Sequence, residues 1–270
     1  MLQCARTPFA RPAFRACAGL AVLAALAGCR AGVRFHGALE AGQWTPSLDC
    51  TAQAAGESSF DLVGTGGLEG KRSFWTFDGN LRFTAPRGGS TGAYAFNLGY
   101  LQHTYSGEAD LGVTGITFAG ESLTGQTHTE TDLSLFKFTY EEPSGGQNEQ
   151  TGGLLGIHSL AFAITSRDAD SRASLSGTAP MIVFGWKIAY YSQRLLYFFS
   201  IEGMDLDWMP LNNVTGSVYD TSAGIRWFVD SSLRVAISAG YRRYEALLNV
   251  DRDRLDLTMD GAFVSLFMTW

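Results

Sequence analysis

The chain has 270 residues, with 26 acidic against 20 basic side chains, a net charge of −6, and 46% hydrophobic residues. That balance sets aside a nucleic-acid partner, which needs a basic face. A mean hydropathy of +0.01 fits a soluble protein, and equally a chain whose strands are polar on one face only.

Residues 1–15 carry Arg6, Arg11 and Arg15 and no acid, and residues 16–28 are uncharged and rich in Ala, Leu, Val and Gly. A basic segment followed by a short apolar one reads as a secretory signal, too short to span a membrane as a mature helix. Leu26-Ala27-Gly28-Cys29 resembles the lipobox of bacterial lipoproteins, which implies cleavage before Cys29 and acylation of its thiol. Cleavage after Ala27 by the small-x-small rule is the alternative. Arg30 follows the cysteine, so by the same resemblance nothing retains the product at the inner membrane. The expected organisation is a signal peptide over 1–28 and one domain over 29–270, more acidic than the whole once the three arginines are gone. Cys4 and Cys17 leave with the signal and Cys29 takes the lipid, so Cys50 has no disulfide partner.

Ten strands with period-two patterning are predicted near 33–45, 72–85, 91–105, 129–141, 154–167, 180–191, 194–207, 215–229, 232–247 and 254–270. The second is the clearest, with Trp75, Phe77, Leu81 and Phe83 on one face and Asp78, Asn80, Arg82 and Thr84 on the other. In the fourth, Lys137 falls on the face of Leu133 and Leu135, which calls for a bulge or a lysine snorkelling to an interface. Met181 to Ile201 is apolar enough to suggest a helix, but Lys187, Gln193 and Arg194 interrupt it and its aromatics alternate. It reads as a hairpin turning at Tyr191 to Arg194. Mostly long joins (46–71, 106–128, 168–179, 208–214, 248–253) alternate with mostly short ones (86–90, 142–153, 192–193, 230–231). The 142–153 join is long for its class.

The last strand alternates Ala262, Val264, Leu266, Met268 and Trp270 with more polar neighbours and ends on an aromatic. It resembles the closing strand of a bacterial outer-membrane β-barrel, in which apolar residues face lipid. Aromatics near strand ends (Tyr94, Tyr100, Tyr140, Trp227, Tyr241) suit interfacial girdles. Further short elements carry the likeness: Glu40 to Trp44, Asp61-Leu62 to Gly67-Leu68, Ala179-Pro180-Met181 and Gly240 to Tyr244. Together they are similar to a group of small Gly-rich proteobacterial outer-membrane barrels, and more loosely to the OmpA and OmpW barrel class. The resemblance implies an all-β, transmembrane, antiparallel up-and-down barrel of about ten strands, with eight or twelve as alternatives. It also implies an outer-membrane location, both termini periplasmic, a monomer in outer-membrane lipid, and delivery to the barrel-assembly machinery through the strand ending in Trp270. A soluble β-sandwich is the competing reading of the same alternation.

If the Trp75 row meets lipid, the opposite faces place Glu40, Asp78, Glu202 and Asp220 in the lumen with Arg82, Lys187, Arg226, Arg234 and Arg242. Unpaired buried charge is costly, so these should pair as a plug. Ten strands lie near the filled end of the barrel series, which favours a plug over a narrow pore. Omptin proteases resemble the chain in having ten strands and an acid–His site at the outer rim, where Asp205 and Asp207 are expected. No histidine adjoins them in sequence, and His103 and His128 read as surface or interfacial. A lipid-A deacylase would want His-x-Ser, whereas His158-Ser159 is adjacent. No metal-ligand spacing occurs, the glycine runs read as turns, and the expectation is a non-enzymatic barrel without a cofactor.

Overall fold

The structure is a computed structural model that describes residues 34–87, 90–145, 148–206, 214–250 and 252–270. The expected signal segment and Cys29 lie outside the described residues. In chain order the strands are β1 (Arg34–Gln53), β2 (Phe60–Asp61), β3 (Phe74–Arg87), β4 (Ser90–Asp110), β5 (Ile116–Phe118), β6 (Glu121–Leu123) and β7 (Gln126–Gly145). There follow β8 (Glu149–Arg167), β9 (Arg172–Ser192), β10 (Leu195–Asp205), β11 (Val214–Phe228), β12 (Val235–Val250) and β13 (Asp253–Thr269). Among the described residues, all but the short β2, β5 and β6 pair antiparallel with their neighbours in sequence, and β13 returns to pair with β1. The result is a closed ten-stranded barrel, so every barrel strand has two partners and no edge faces lipid.

The closing seam runs from Ala38 opposite Thr269 to Gln53 opposite Arg254. It is extended by paired backbone bonds between Gly37 and Trp270, at 3.1 and 3.0 Å. The Trp270 indole lies over Gly37 so closely that a Cβ there would stand 2.5 Å from the ring. Glycine at 37 is what lets the terminal aromatic lie flat against the seam.

Barrel strands of 19 to 21 residues such as β4, β7, β8 and β9 are about twice the 9–11 residues that cross a bilayer. Their patterning shows what the surplus does. On β9, Phe184, Trp186, Ile188 and Tyr190 point outward and are exposed. Nearer Arg172 the outward row becomes Ser174, Ser176 and Thr178, while Ala173, Leu175, Ala179, Met181 and Val183 turn inward and are buried. β13 does the same: Val264, Leu266 and Met268 are exposed outward, Asp260, Thr258, Asp256 and Arg254 continue that row, and Leu255, Leu257 and Met259 are buried inside. One half of the barrel is therefore apolar outside and polar inside, and the other half is polar outside with an apolar core.

This reversal accounts for the fourth predicted strand. Lys137 shares its face with Leu133 and Leu135 because all three point into the lumen, where the filling changes from apolar to charged between them. Neither a bulge nor snorkelling is involved. The same reversal lengthens the strands beyond their predicted ends. β1 continues to Gln53, β4 to Asp110 and β9 back to Arg172, through segments whose polar outward rows resemble loops. The join expected at 142–153 contracts, because Glu142, Pro143 and Ser144 pair with Gly153, Gly152 and Thr151. Met181 to Ile201 forms the ends of β9 and β10 with a turn at 193–194.

The apolar half is packed. Trp44, Tyr105, Leu133, Leu135, Leu160 and Met181 are buried inside it, and Phe60, Leu62, Phe118 and Leu123 from the loops at 54–73 and 111–125 close over the end. Burial of each large side chain is worth about 1.5–3 kcal/mol. Where the first loop crosses β4, a Cβ on Gly107 would meet the Gly67 carbonyl oxygen at 1.8 Å, so the two glycines set how closely the lid lies.

The two halves should respond oppositely to one added charge. Arginine in place of Leu266, on the outward face of the apolar belt, is expected to cost about 2–4 kcal/mol in urea unfolding from lipid vesicles. Arginine in place of Ser174, on the polar half, should change stability by less than about 0.5 kcal/mol.

Candidate functional site

Where the lumen changes character, five strands send charged or imidazole groups to one level. Lys137 from β7 reaches Asp220 of β11 at 2.9 Å and Glu202 of β10 at 3.2 Å. Arg242 from β12 grips the same Asp220 through two nitrogens, Nε to Oδ1 at 3.0 Å and Nη2 to Oδ2 at 2.7 Å. His158 from β8 sets Nε2 2.9 Å from Glu202. Two bases thus meet two carboxylates and one imidazole, all largely enclosed. Bidentate arginine geometry suits such a place because it fixes direction as well as charge. The Arg242 guanidinium also lies 5.0 Å from the Trp44 ring, which belongs to the apolar core beyond.

On the turn side of this layer lies an open cavity of about 480 Å³. Its walls carry two further pairs. Arg226 bonds Glu40, Ser238 and, face on, the Phe267 ring at 3.7 Å, and Ser265 also donates to Glu40. Lys187 pairs with Glu141 at 3.4 Å, and Asn97 donates to the same carboxylate at 3.3 Å. Asp78 and Arg82 line the cavity as well, with no ion-pair partner among the described residues.

Glu40, Asp78, Arg82, Lys187, Glu202, Asp220, Arg226 and Arg242 all line this lumen. Arg234 does not: it sits exposed in the turn before β12, its amide donating to Asp230 at 2.8 Å. β12 starts one residue later than Arg234, so the alternation that would have turned it inward does not reach it. Lys137, His158 and Glu141 belong to the site and were missed. Each has the inward parity of its strand, which was the available signal. Lys137 was obscured by the leucines beside it, and His158 was weighed only against its neighbour Ser159.

The rim at the loop end is held by carboxylates that accept from backbone amides. Glu57 accepts from the Gly120 amide at 2.6 Å, tying the 54–73 loop to the β5–β6 hairpin. Asp168 in the β8–β9 turn accepts from the amides of Thr124, Ser171 and Asp170. Those three donors, Thr124 foremost, hold its carboxyl below the usual carboxylate range. His103 points into the core, stacked on Phe74 with ring centroids 4.8 Å apart, so it is neither a surface nor an interfacial histidine. His128 faces outward, 3.9 Å from Glu108. The two do not converge on one site. Among the described residues no His, Cys, Asp and Glu cluster has metal-holding geometry.

No family model and no curated relative matches the chain. Solved structures do. The outer membrane protease OmpT of Escherichia coli superposes with a TM-score of 0.50 at 8% identity, over 86% of this chain and 97% of that one. The fold is that of a bacterial outer-membrane β-barrel. At such identity the likeness extends to the fold and no further. The transport unit of the autotransporter AIDA-I of Escherichia coli (TM-score 0.39, 10% identity, 87% and 88% coverage) also aligns. So does the attachment invasion locus protein Ail of Yersinia pestis (0.30, 11%, 85% and 97%). Both scores are too low to carry an argument.

Removing one member of the enclosed layer should cost more than removing a similar pair at the cavity wall. Lys137→Met leaves two carboxylates facing each other and is expected to lower unfolding free energy by about 3–5 kcal/mol. Lys187→Met, whose side chain is 38% exposed, should lower it by about 1 kcal/mol or less. Urea midpoints in one detergent give both values.

Proposed function

We propose that this is a non-conducting, non-enzymatic outer-membrane barrel that carries a rigid rim at the cell surface and has a structural or surface-interaction role. One observation carries the reading: beyond the charged layer the lumen is filled by buried apolar side chains such as Leu101, Leu133, Leu160, Val218 and Leu257. Water and ions have no favourable path through such packing, because every permeating charge would lose its hydration without a replacement.

The orientation follows from strand parity. An even number of strands puts both ends of the chain with the short turns, which suits the periplasm, and leaves the larger loops at 54–73 and 111–125 outside. A lipid on Cys29 would then insert in the leaflet beside the barrel, a few residues before β1. The chain would be a monomer in outer-membrane lipid and would reach the assembly machinery through β13 and Trp270. The runner-up, a narrow solute pore, has in its favour the open cavity at the turn end.

Reconstituted into a planar bilayer, the barrel is expected to give no discrete current steps above the lipid baseline. Reproducible steps of one size would sink the sealed-lumen reading in favour of the pore. For the anchor, labelled palmitate should enter the mature protein and disappear on Cys29→Ser. A mature form that never takes the label would point to cleavage after Ala27 instead.

A further inference from the structure

We infer that the turn-end cavity is a binding site for a linear zwitterion of short-peptide size, with its ammonium group at Asp78 and its carboxylate at Arg82. The inference does not depend on whether the apolar half seals the barrel. It starts from the way charges are used inside the lumen. Glu202 and Asp220 are shared by Lys137 and Arg242, Glu40 is bonded to Arg226, and Glu141 to Lys187. Among the described lining residues, one carboxylate and one guanidinium remain once these pairs are formed, Asp78 and Arg82, both reachable from the cavity, with His36 beside the latter.

Those two residues lie on β3, four positions apart, so they share its inward face about 13 Å apart along the strand. Their cross-strand neighbours sharpen the contrast. Asp78 stands opposite Glu40 and Arg82 opposite His36, so carboxylate meets carboxylate at the inner level and the guanidinium faces an imidazole at the mouth. Like groups directly opposite are unfavourable in a ladder. Arg242 and Lys137 stand at the same level but spend their hydrogen bonds on Asp220. A cation at the inner level would offset the facing carboxylates, and an anion at the mouth would pair with Arg82. Between them Asn80, bonded to Asn97, offers amide groups of the kind that meet a peptide backbone. Phe198 across the barrel on β10, and Phe263 and Phe267 on β13 two strands from β3, also line the cavity and give side chains an apolar surface.

The size agrees. A cavity of about 480 Å³ falls inside the range of about 300–1,000 Å³ common for small-ligand sites. An extended tripeptide places its two charged ends about 10 Å apart, and the reach of the aspartate and arginine side chains closes the remaining gap. A single amino acid is too short to touch both groups. A diamine or a dicarboxylate would satisfy one end and repel at the other.

The test is calorimetric titration of the folded barrel in detergent micelles with tri-alanine, N-acetyl-tri-alanine and tri-alanine amide. Tri-alanine is expected to bind, and each cap to weaken it about tenfold or more, as loss of a charge-assisted bond predicts. Asp78→Asn should weaken tri-alanine to the level of its acetylated form and abolish discrimination between those two. Arg82→Gln should do the same for the amide. Absence of binding up to about 10 mM tri-alanine, or equal binding of capped and free peptides, would overturn the assignment. So would discrimination that survives in the two variants. Heat-modifiable gel mobility reports whether each variant is folded, and if one is not, the capped peptides on the unaltered chain still decide.

Discussion

An amide in hydrocarbon has no water to bond, so a strand-built membrane protein stands or falls on closing its sheet. Here the closure is made by β13 returning to β1 along nearly the whole length of both strands, with the terminal Trp270 locked against Gly37. Everything else follows from that ring. Once closed, the sheet has an inside that must be filled, and alternate residues of every strand are committed to filling it.

The filling changes along the axis because the surroundings do. Where the outward rows meet acyl chains, the inward rows have room for charge, provided that each charge finds a partner. Where the barrel extends past the belt, the outward rows face water and the inward rows become an ordinary apolar core, with loop residues as its lid. The Lys137, Asp220, Arg242, Glu202 and His158 layer lies at the boundary between these regimes. It joins strands from opposite walls, and its neutrality lets ionised groups persist beside Trp44 and Met259 instead of being excluded from the interior.

The two halves therefore have different consequences for function. The apolar half and its tied loops make a packed end. The polar half is an open vestibule at the turn end, where nearly all charges are spoken for by their neighbours. The exceptions among the described residues sit on one strand, face the same cavity and have opposite sign. A wall arranged in that way is underused by the fold itself, and that is the physical basis for assigning it a ligand.

Much of the architecture was legible from local pattern. The alternation on 73–85, on 215–229 and at the C-terminus marked strands whose one face is greasy, and the even number of such segments led to an antiparallel ring. Inward parity also found eight of the lining charges, since a side chain's facing in a strand is fixed by counting in twos. Local pattern failed where its sign changed. The outer halves of β1, β4 and β9 alternate as well, but with polar residues outward, and such stretches are indistinguishable from loops until a partner strand is known. Arg234 falls outside because β12 begins at Val235, three residues after its predicted start, and Lys137 shares a face with leucines that, without the closed ring, do not show whether they point to lipid or to the lumen. Which base meets which acid, that Asp78 and Arg82 are left over, and that the lumen is packed at one end and hollow at the other depend on distances across the barrel. Those distances come from strand register and closure, which join residues more than 200 positions apart, such as Glu40 and Ser265 at a separation of 225, and no short-range periodicity encodes them.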